Sequence, residues 1–215
     1  MRMESMGYTE FCFTSYLDSI EVFFEQTDSA QNKIELQGFV FENDLPGITY
    51  SAIGVNGAKI ESFLKCQHFG AQLHALKPHL IILSFGTNDG YTSHFNSEKF
   101  IANYLSLISL IQNAAPEAAI IITVPNDSYY RRRYPNRNNE TIKNAIFELA
   151  GERNFGVWDF YSVMGGFDSS ELWYRSGLMN HDRIHFNKAG YKIKGDLFFA
   201  ALIQLWEELN LNKKD

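Results

Sequence analysis

Three short stretches carry residues whose types and spacing suit acyl-transfer chemistry. DRIH (182–185), within NHDRIHFNKAGY, puts an Asp and a His three apart just before a helical pattern. A carboxylate on one imidazole nitrogen fixes the tautomer and leaves the other nitrogen as a base. An exposed ion pair would use the same spacing. GTND (86–89) follows an apolar run directly. Its glycine permits a tight turn, and the Asn88 amide is a neutral donor suited to a developing oxyanion. Taken alone, Gly-x-Asn-Asp is also ordinary loop punctuation. IGVNGAK (53–59) has two glycines three apart at a strand-to-helix junction, where backbone N–H groups can face a ligand or simply make the turn. It lacks the third glycine of a dinucleotide fingerprint.

These stretches need elements to position them. HLIILSFG (79–86), AAIIITVP (118–125) and NFGVWDF (154–160) are apolar runs of the kind buried on both faces of a parallel sheet. ITYSAIGV (48–55) is expected as a further short strand. Helical periodicity predicts one helix from about Ala58 to Leu76, and others over 97–115, 138–153 and 188–209. The alternation specifies an α/β fold: a three-layer α/β/α sandwich with a mostly parallel sheet. Ligands of such sheets sit beyond the carboxyl ends of the strands, where GTND lies. The first 45 residues differ, being rich in β-type patterns without helices. Two strands are expected within 9–25 and one over 33–44, with Ile34, Leu36, Phe39 and Phe41 inward, separated by a turn at TDSAQN (27–32). The expected division is a partial β-rich module, 1–47, before an α/β domain, 48–215.

A length of 215 residues suffices for one substantial α/β domain. The net charge of -6 argues against a nucleic-acid partner. Cys12 and Cys66 have no metal-ligand spacing; one disulfide is open to them, but two buried thiols are the favoured expectation, and neither a metal nor another cofactor is implied. No apolar run reaches the roughly 20 residues of a membrane span, and no signal peptide is visible.

In combination the stretches are more specific. GVNGAK, LSFGTNDGY and DRIHFNKAGY resemble, in order, the second, third and fifth blocks of the SGNH (GDSL-type) hydrolases, over residue 48 to the end. The resemblance implies His185 as general base and Asp182 as its orienting partner. It implies Asn88 and the Gly57 backbone N–H as oxyanion donors, with Gly54 the alternative to Gly57. VPNDSYYRRRYPN (124–136) and VMGGFDSSELWYRSGL (163–178) resemble bacterial esterases that deacetylate cell-envelope polysaccharides, peptidoglycan O-acetyl esterases among them. In those proteins a β-rich module lies between the first two blocks, and 9–45 is similar to its tail. The implied substrate is an acylated carbohydrate or other small ester, and the implied location periplasm or cell surface. Trp173, with Tyr174 and Met164, is implied on the sugar side, where a half-buried packing ring is the competing reading. Arg131, Arg132, Arg133 and Arg137 suit an anionic glycan or a solvated loop.

The family's first block, a strand ending in Gly-Asp-Ser with the nucleophilic serine, has no counterpart here. Three explanations compete: a fragment of a longer esterase lacking an N-terminal segment, a non-catalytic carbohydrate- or partner-binding pseudo-enzyme, or another serine in the role. Ser169 and Ser170 are the first candidates for the last. The fragment is favoured, because a missing central strand would leave backbone and apolar surface of its neighbour uncovered.

Overall fold

The computed structural model describes residues 2–5 and 8–211. It comprises two compact units, Met1–Gly54 and Val55–Asp215. In the first, β1 (Arg2–Ser5) pairs antiparallel with β2 (Tyr8–Phe11). The turn at TDSAQN forms as its composition dictates: the Asp28 carboxylate accepts the Ala30 N–H at 2.7 Å, and Gln31 Oε1 accepts the Thr27 N–H at 2.9 Å.

The remaining strands expected in this unit do not form. From residue 12 to Gly54 the chain has neither strand nor helix. This removes the second strand expected within 9–25, the one over 33–44 and the whole of the one at 48–55. Ile34, Leu36, Phe39 and Phe41 are 52–73% exposed rather than inward. Alternation makes a sequence compatible with a strand, but a strand exists only where a neighbour supplies ladder partners. Among the described residues these segments find none. Ile20, Val22 and Phe24 still keep to one side, and with Leu36, Phe39 and Phe41 they line an open apolar hollow of about 350 Å³.

The second unit begins with α1 (Ile60–Leu64) and α2 (Phe69–Leu76), where one helix was expected. At about 100° per residue, a continuous helix would turn Phe69 and Leu73 about 180° and about 140° away from Ile60. Breaking it at 65–68 lets all three pack on one core. Cys66 lies in this break and is exposed, as is Cys12, so neither thiol is buried as expected.

Then follow β3 (Leu80–Leu83), α3 (Ser97–Ala114), β4 (Ala119–Thr123), the hairpin β5 (Tyr129–Tyr130) and β6 (Tyr134–Pro135), α4 (Asn138–Arg153) and β7 (Gly156–Trp158). The strands β3, β4 and β7 form a parallel sheet in that order, with Ile82 opposite Ile121 and Ile122 opposite Val157. The short α5 (Phe160–Val163) and α6 (Ser169–Arg175) lead to α7 (Lys188–Leu211). Helix α3 starts where Asn96 Oδ1 accepts the Lys99 N–H at 2.7 Å. Its buried Phe100, Tyr104, Leu107, Ile108 and Ile111 keep helical spacing, as do Ile142, Ala145, Ile146 and Leu149 of α4. Both stripes pack on Ile120, Ile122 and Val124. Adjacent strand residues point to opposite faces. Val157 accordingly joins this core, while Trp158 stacks on Phe160 at 5.0 Å and meets Phe198 of α7 at 4.8 Å on the other side. The result is the expected three-layer α/β/α arrangement.

Ile122 sits in the middle strand with no exposed surface. Ile122→Ala should lower the unfolding free energy by about 2–5 kcal/mol, measured by urea denaturation followed by circular dichroism.

Candidate active site

The loop after β3 is held by close approach. Gly86 has φ +118, and a Cβ there would meet Pro125 Cγ at 2.9 Å and Ile142 Cγ2 at 3.0 Å. The loop closes through the Gly90 N–H donated to the Gly86 carbonyl at 2.7 Å. The Asp89 carboxylate accepts the N–H of Gly86 at 3.3 Å and of Ile60 at 3.2 Å, tying the loop to the first residue of α1. Burial pushes the Asp89 carboxyl up, and those backbone N–H groups pull the other way.

Asn88 is fixed by the same turn. Its amide donates to the Ala58 carbonyl at 3.0 Å, so the Asn88 and Gly57–Ala58 loops meet directly. An amide NH2 has two hydrogens, and the second remains for another acceptor. Gly57 has φ +76, and among the described residues its N–H meets no protein acceptor, while the Ala58 N–H is spent on the Val55 carbonyl. Of the two glycines weighed for a donor role, Gly57 belongs to the second unit and Gly54 to the first.

Asp182 and His185 form a close pair. His185 Nδ1 donates to Asp182 Oδ2 at 2.8 Å. The other oxygen, Oδ1, accepts the N–H of Ile184 at 2.9 Å and of His185 at 3.0 Å. Burial alone would raise the Asp182 carboxyl, but the imidazole and the two N–H groups outweigh it and hold it below the usual carboxylate range. With Nδ1 engaged, the tautomer leaves Nε2 as the basic nitrogen, on a side chain 60% exposed. The pair is positioned from behind by α7: Asn187 Oδ1 accepts the Gly190 N–H at 3.1 Å, and the Asn187 N–H donates to the Leu178 carbonyl at 3.1 Å.

What joins the two loops is the segment 124–138, whose role was not read from the sequence. Asn136 donates to the Gly90 carbonyl at 3.1 Å, and Asn138 to the carbonyls of Gly90 at 2.9 Å and Thr92 at 2.8 Å. On its other side the Tyr129 N–H donates to the Arg183 carbonyl at 3.0 Å, and Asn126 Nδ2 to that of Ile184 at 3.3 Å. The signal available was VPND…YPNRN, an asparagine- and proline-rich passage between a buried strand and a helix, where side-chain amides take up backbone groups.

Ser169 and Ser170 are poorly placed for chemistry. Ser170 has no exposed surface and donates its hydroxyl to Asp127 at 2.6 Å; Ser169 is 7% exposed and donates to the Gly166 carbonyl at 2.6 Å. Burial pushes the Asp127 carboxyl up against the two Ser170 hydrogen bonds. Trp173 donates its indole N–H to the Met164 carbonyl at 2.9 Å and packs edge-on against Phe160 and Phe186. Met164 is 4% exposed, so it belongs to this small aromatic core instead of a sugar-facing wall.

The GDSL-like lipase/acylhydrolase family model matches residues 32–193. No curated protein matches the chain. Among solved structures, a peptidoglycan O-acetylesterase aligns with TM-score 0.69 at 23% identity, covering 74% of this chain and 47% of that one. The chain thus spans about half the length of that enzyme. A lipase/acylhydrolase from Enterococcus faecalis aligns with TM-score 0.53 at 22% identity, over 68% of this chain and 71% of that one. An acetyl xylan esterase aligns with TM-score 0.55 at 20% identity, over 69% and 78%.

The pairing predicts a nitrogen-NMR signature. In its neutral form the His185 imidazole should carry its proton on Nδ1 and leave Nε2 bare, and Asp182→Asn should abolish that preference. Because the Asp182 carboxyl is held low in the folded chain, its contribution to stability is present above the usual carboxylate value and is lost as pH falls through the lowered one. Acid unfolding of Asp182→Asn should therefore depend less steeply on pH in that acidic window than the parent.

Proposed function

Because the chain belongs to the GDSL-like lipase/acylhydrolase family, we propose that it forms the larger part of a serine esterase that removes acetyl groups from a cell-envelope polysaccharide. The observation that carries this is the 2.8 Å Asp182–His185 contact, on a loop tied through 124–138 to the loop of Asn88. In the reaction, a serine hydroxyl attacks the ester carbonyl. His185 Nε2 takes the serine proton, and Asp182 stabilises the imidazolium. The Gly57 N–H and the Asn88 amide receive the negative oxygen of the tetrahedral intermediate. Collapse expels the sugar hydroxyl with the proton from His185. A water, deprotonated by the same imidazole, then releases acetate.

The nucleophile in this reading enters on a further parallel strand, outside these 215 residues, that adds to the edge of β3. Two features support it. Among the described residues the far edge of β3 has no partner, and its apolar Leu80 and Ile82 are 36% and 37% exposed. An uncovered apolar edge strand is unusual, since it templates indiscriminate pairing. The acetylated glycan and an extracytoplasmic location are taken by analogy with the peptidoglycan O-acetylesterase neighbour. Trp173 is then a packing support beneath the site, with its ring edge the part available to a sugar.

The test is turnover of p-nitrophenyl acetate by the purified 215-residue chain, alone and with a strand ending in Gly-Asp-Ser fused ahead of it. The chain alone should stay at background, and the fusion should hydrolyse the ester. His185→Ala in the fusion should remove at least about 100-fold of the rate. Robust His185-dependent turnover by the chain alone would place the nucleophile within it. An inactive fusion that binds acetylated glycan would make the protein a binder.

A further inference from the structure

The hairpin β5–β6 turns through Arg131 and Arg132, with φ of 52 and 60. The Arg133 N–H donates back to the Tyr130 carbonyl at 3.2 Å, so these are the two central residues of the turn. Two consecutive left-handed residues are the requirement that Asn-Gly meets without steric strain. Two arginines meet it against their own Cβ atoms. All three arginines at the tip are exposed, as is Arg137 close behind. Among the described residues none of the four has a carboxylate within ion-pair distance. Elsewhere Arg175 and Arg183 both pair with Glu171. In a chain of net charge -6, unpaired guanidinium groups are concentrated on one strained tip.

The tip adjoins the candidate site. The Arg131 N–H donates to the Tyr91 hydroxyl at 3.1 Å, and the Tyr91 and Tyr130 rings meet edge-on at 5.1 Å. Tyr91 is three residues beyond Asn88, and Tyr129 on the same hairpin bonds the Arg183 carbonyl, between Asp182 and His185. The exposed rings of Tyr91 and Tyr134 flank the arginines with flat apolar surface. Guanidinium forks match carboxylates, and tyrosine rings suit sugar faces.

We propose that Arg131, Arg132 and Arg133 form a subsite for the carboxylates of an acidic glycan, so that the esterase acts on acetyl groups carried by a uronate-like chain and not by a neutral polysaccharide. The proposal rests on the esterase reading and names its substrate class. The glycan lies across the hairpin, its acidic residues on the arginines and its acetyl ester over the Asn88 and His185 loops.

The experiment is calorimetric titration of the intact chain with a short oligogalacturonide, a neutral xylo-oligosaccharide of equal length and a polyglutamate peptide. The oligogalacturonide should bind best, and added salt should weaken it. The double variant Arg131→Asn/Arg132→Gly should bind it about tenfold or more weakly. Its Tm should equal or exceed the parent's, because the turn is relieved. A purely structural role for the arginines would lower Tm and leave binding alone. Should the double variant fail to fold, Arg133→Gln, outside the left-handed pair, carries the same affinity test. Equal binding of the neutral oligosaccharide, equal binding of polyglutamate, no binding of the oligogalacturonide, or unchanged binding by the variants overturns the subsite. Binding is measured without turnover, so failure of the fusion to hydrolyse esters leaves this result standing. An active fusion that ignores the charge of the glycan removes only the subsite.

Discussion

Everything at the candidate site depends on one constraint: two loops almost 100 residues apart in sequence must be held in register by hydrogen bonds to their backbones. The 124–138 segment supplies them. Asn136 and Asn138 take the carbonyls of Gly90 and Thr92, while Tyr129 and Asn126 take those of Arg183 and Ile184. Buried carbonyls left without donors would be costly, so the bonds stabilise the loops and specify their position together. The glycines serve the same end. Any side chain at Gly86 would push the Asn88 loop off Pro125 and Ile142.

Most of the second unit was legible in the sequence because its elements carry their own signals. The runs at 79–86, 118–125 and 154–160 became β3, β4 and β7, and α4 spans 138–153 as its periodicity predicts. Asp182 and His185, three apart, had only to share a turn to meet. The failures have one physical origin. Periodicity states which residues can share a face, but not whether a partner is there to receive it. The apolar segments over 12–54 therefore looked like strands, and the helix over 58–76 looked continuous, although its two halves would present their apolar residues in different directions without the break at 65–68. The clamp at 124–138 was invisible because asparagine amides bonding distant carbonyls leave no period at all.

Charge is distributed with the same economy as packing. Arg183 lies between the rings of Tyr129 and Tyr174, at 5.0 Å and 4.7 Å, and on Glu171, so the residue between the members of the dyad is anchored on both counts. Lys194 of α7 sits over Phe160 and Phe186, and burial pulls its ammonium down to about 8. These cations serve the scaffold, in contrast to the hairpin arginines, which have no carboxylate within ion-pair distance among the described residues.

The order of the strands also sets how far along the chain each contact must reach. In the β3–α3–β4–α4–β7 run, β3 pairs with β4 and β4 with β7, and α3 and α4 share one core with them, so each strand pairing spans a single crossover. The His185 loop is different: its carbonyls find donors only once the 124–138 segment is seated, and its far side only once the first turn of α7 has settled on Leu178. The His185 imidazole therefore keeps its position only while both the 124–138 segment and the first turn of α7 are in place.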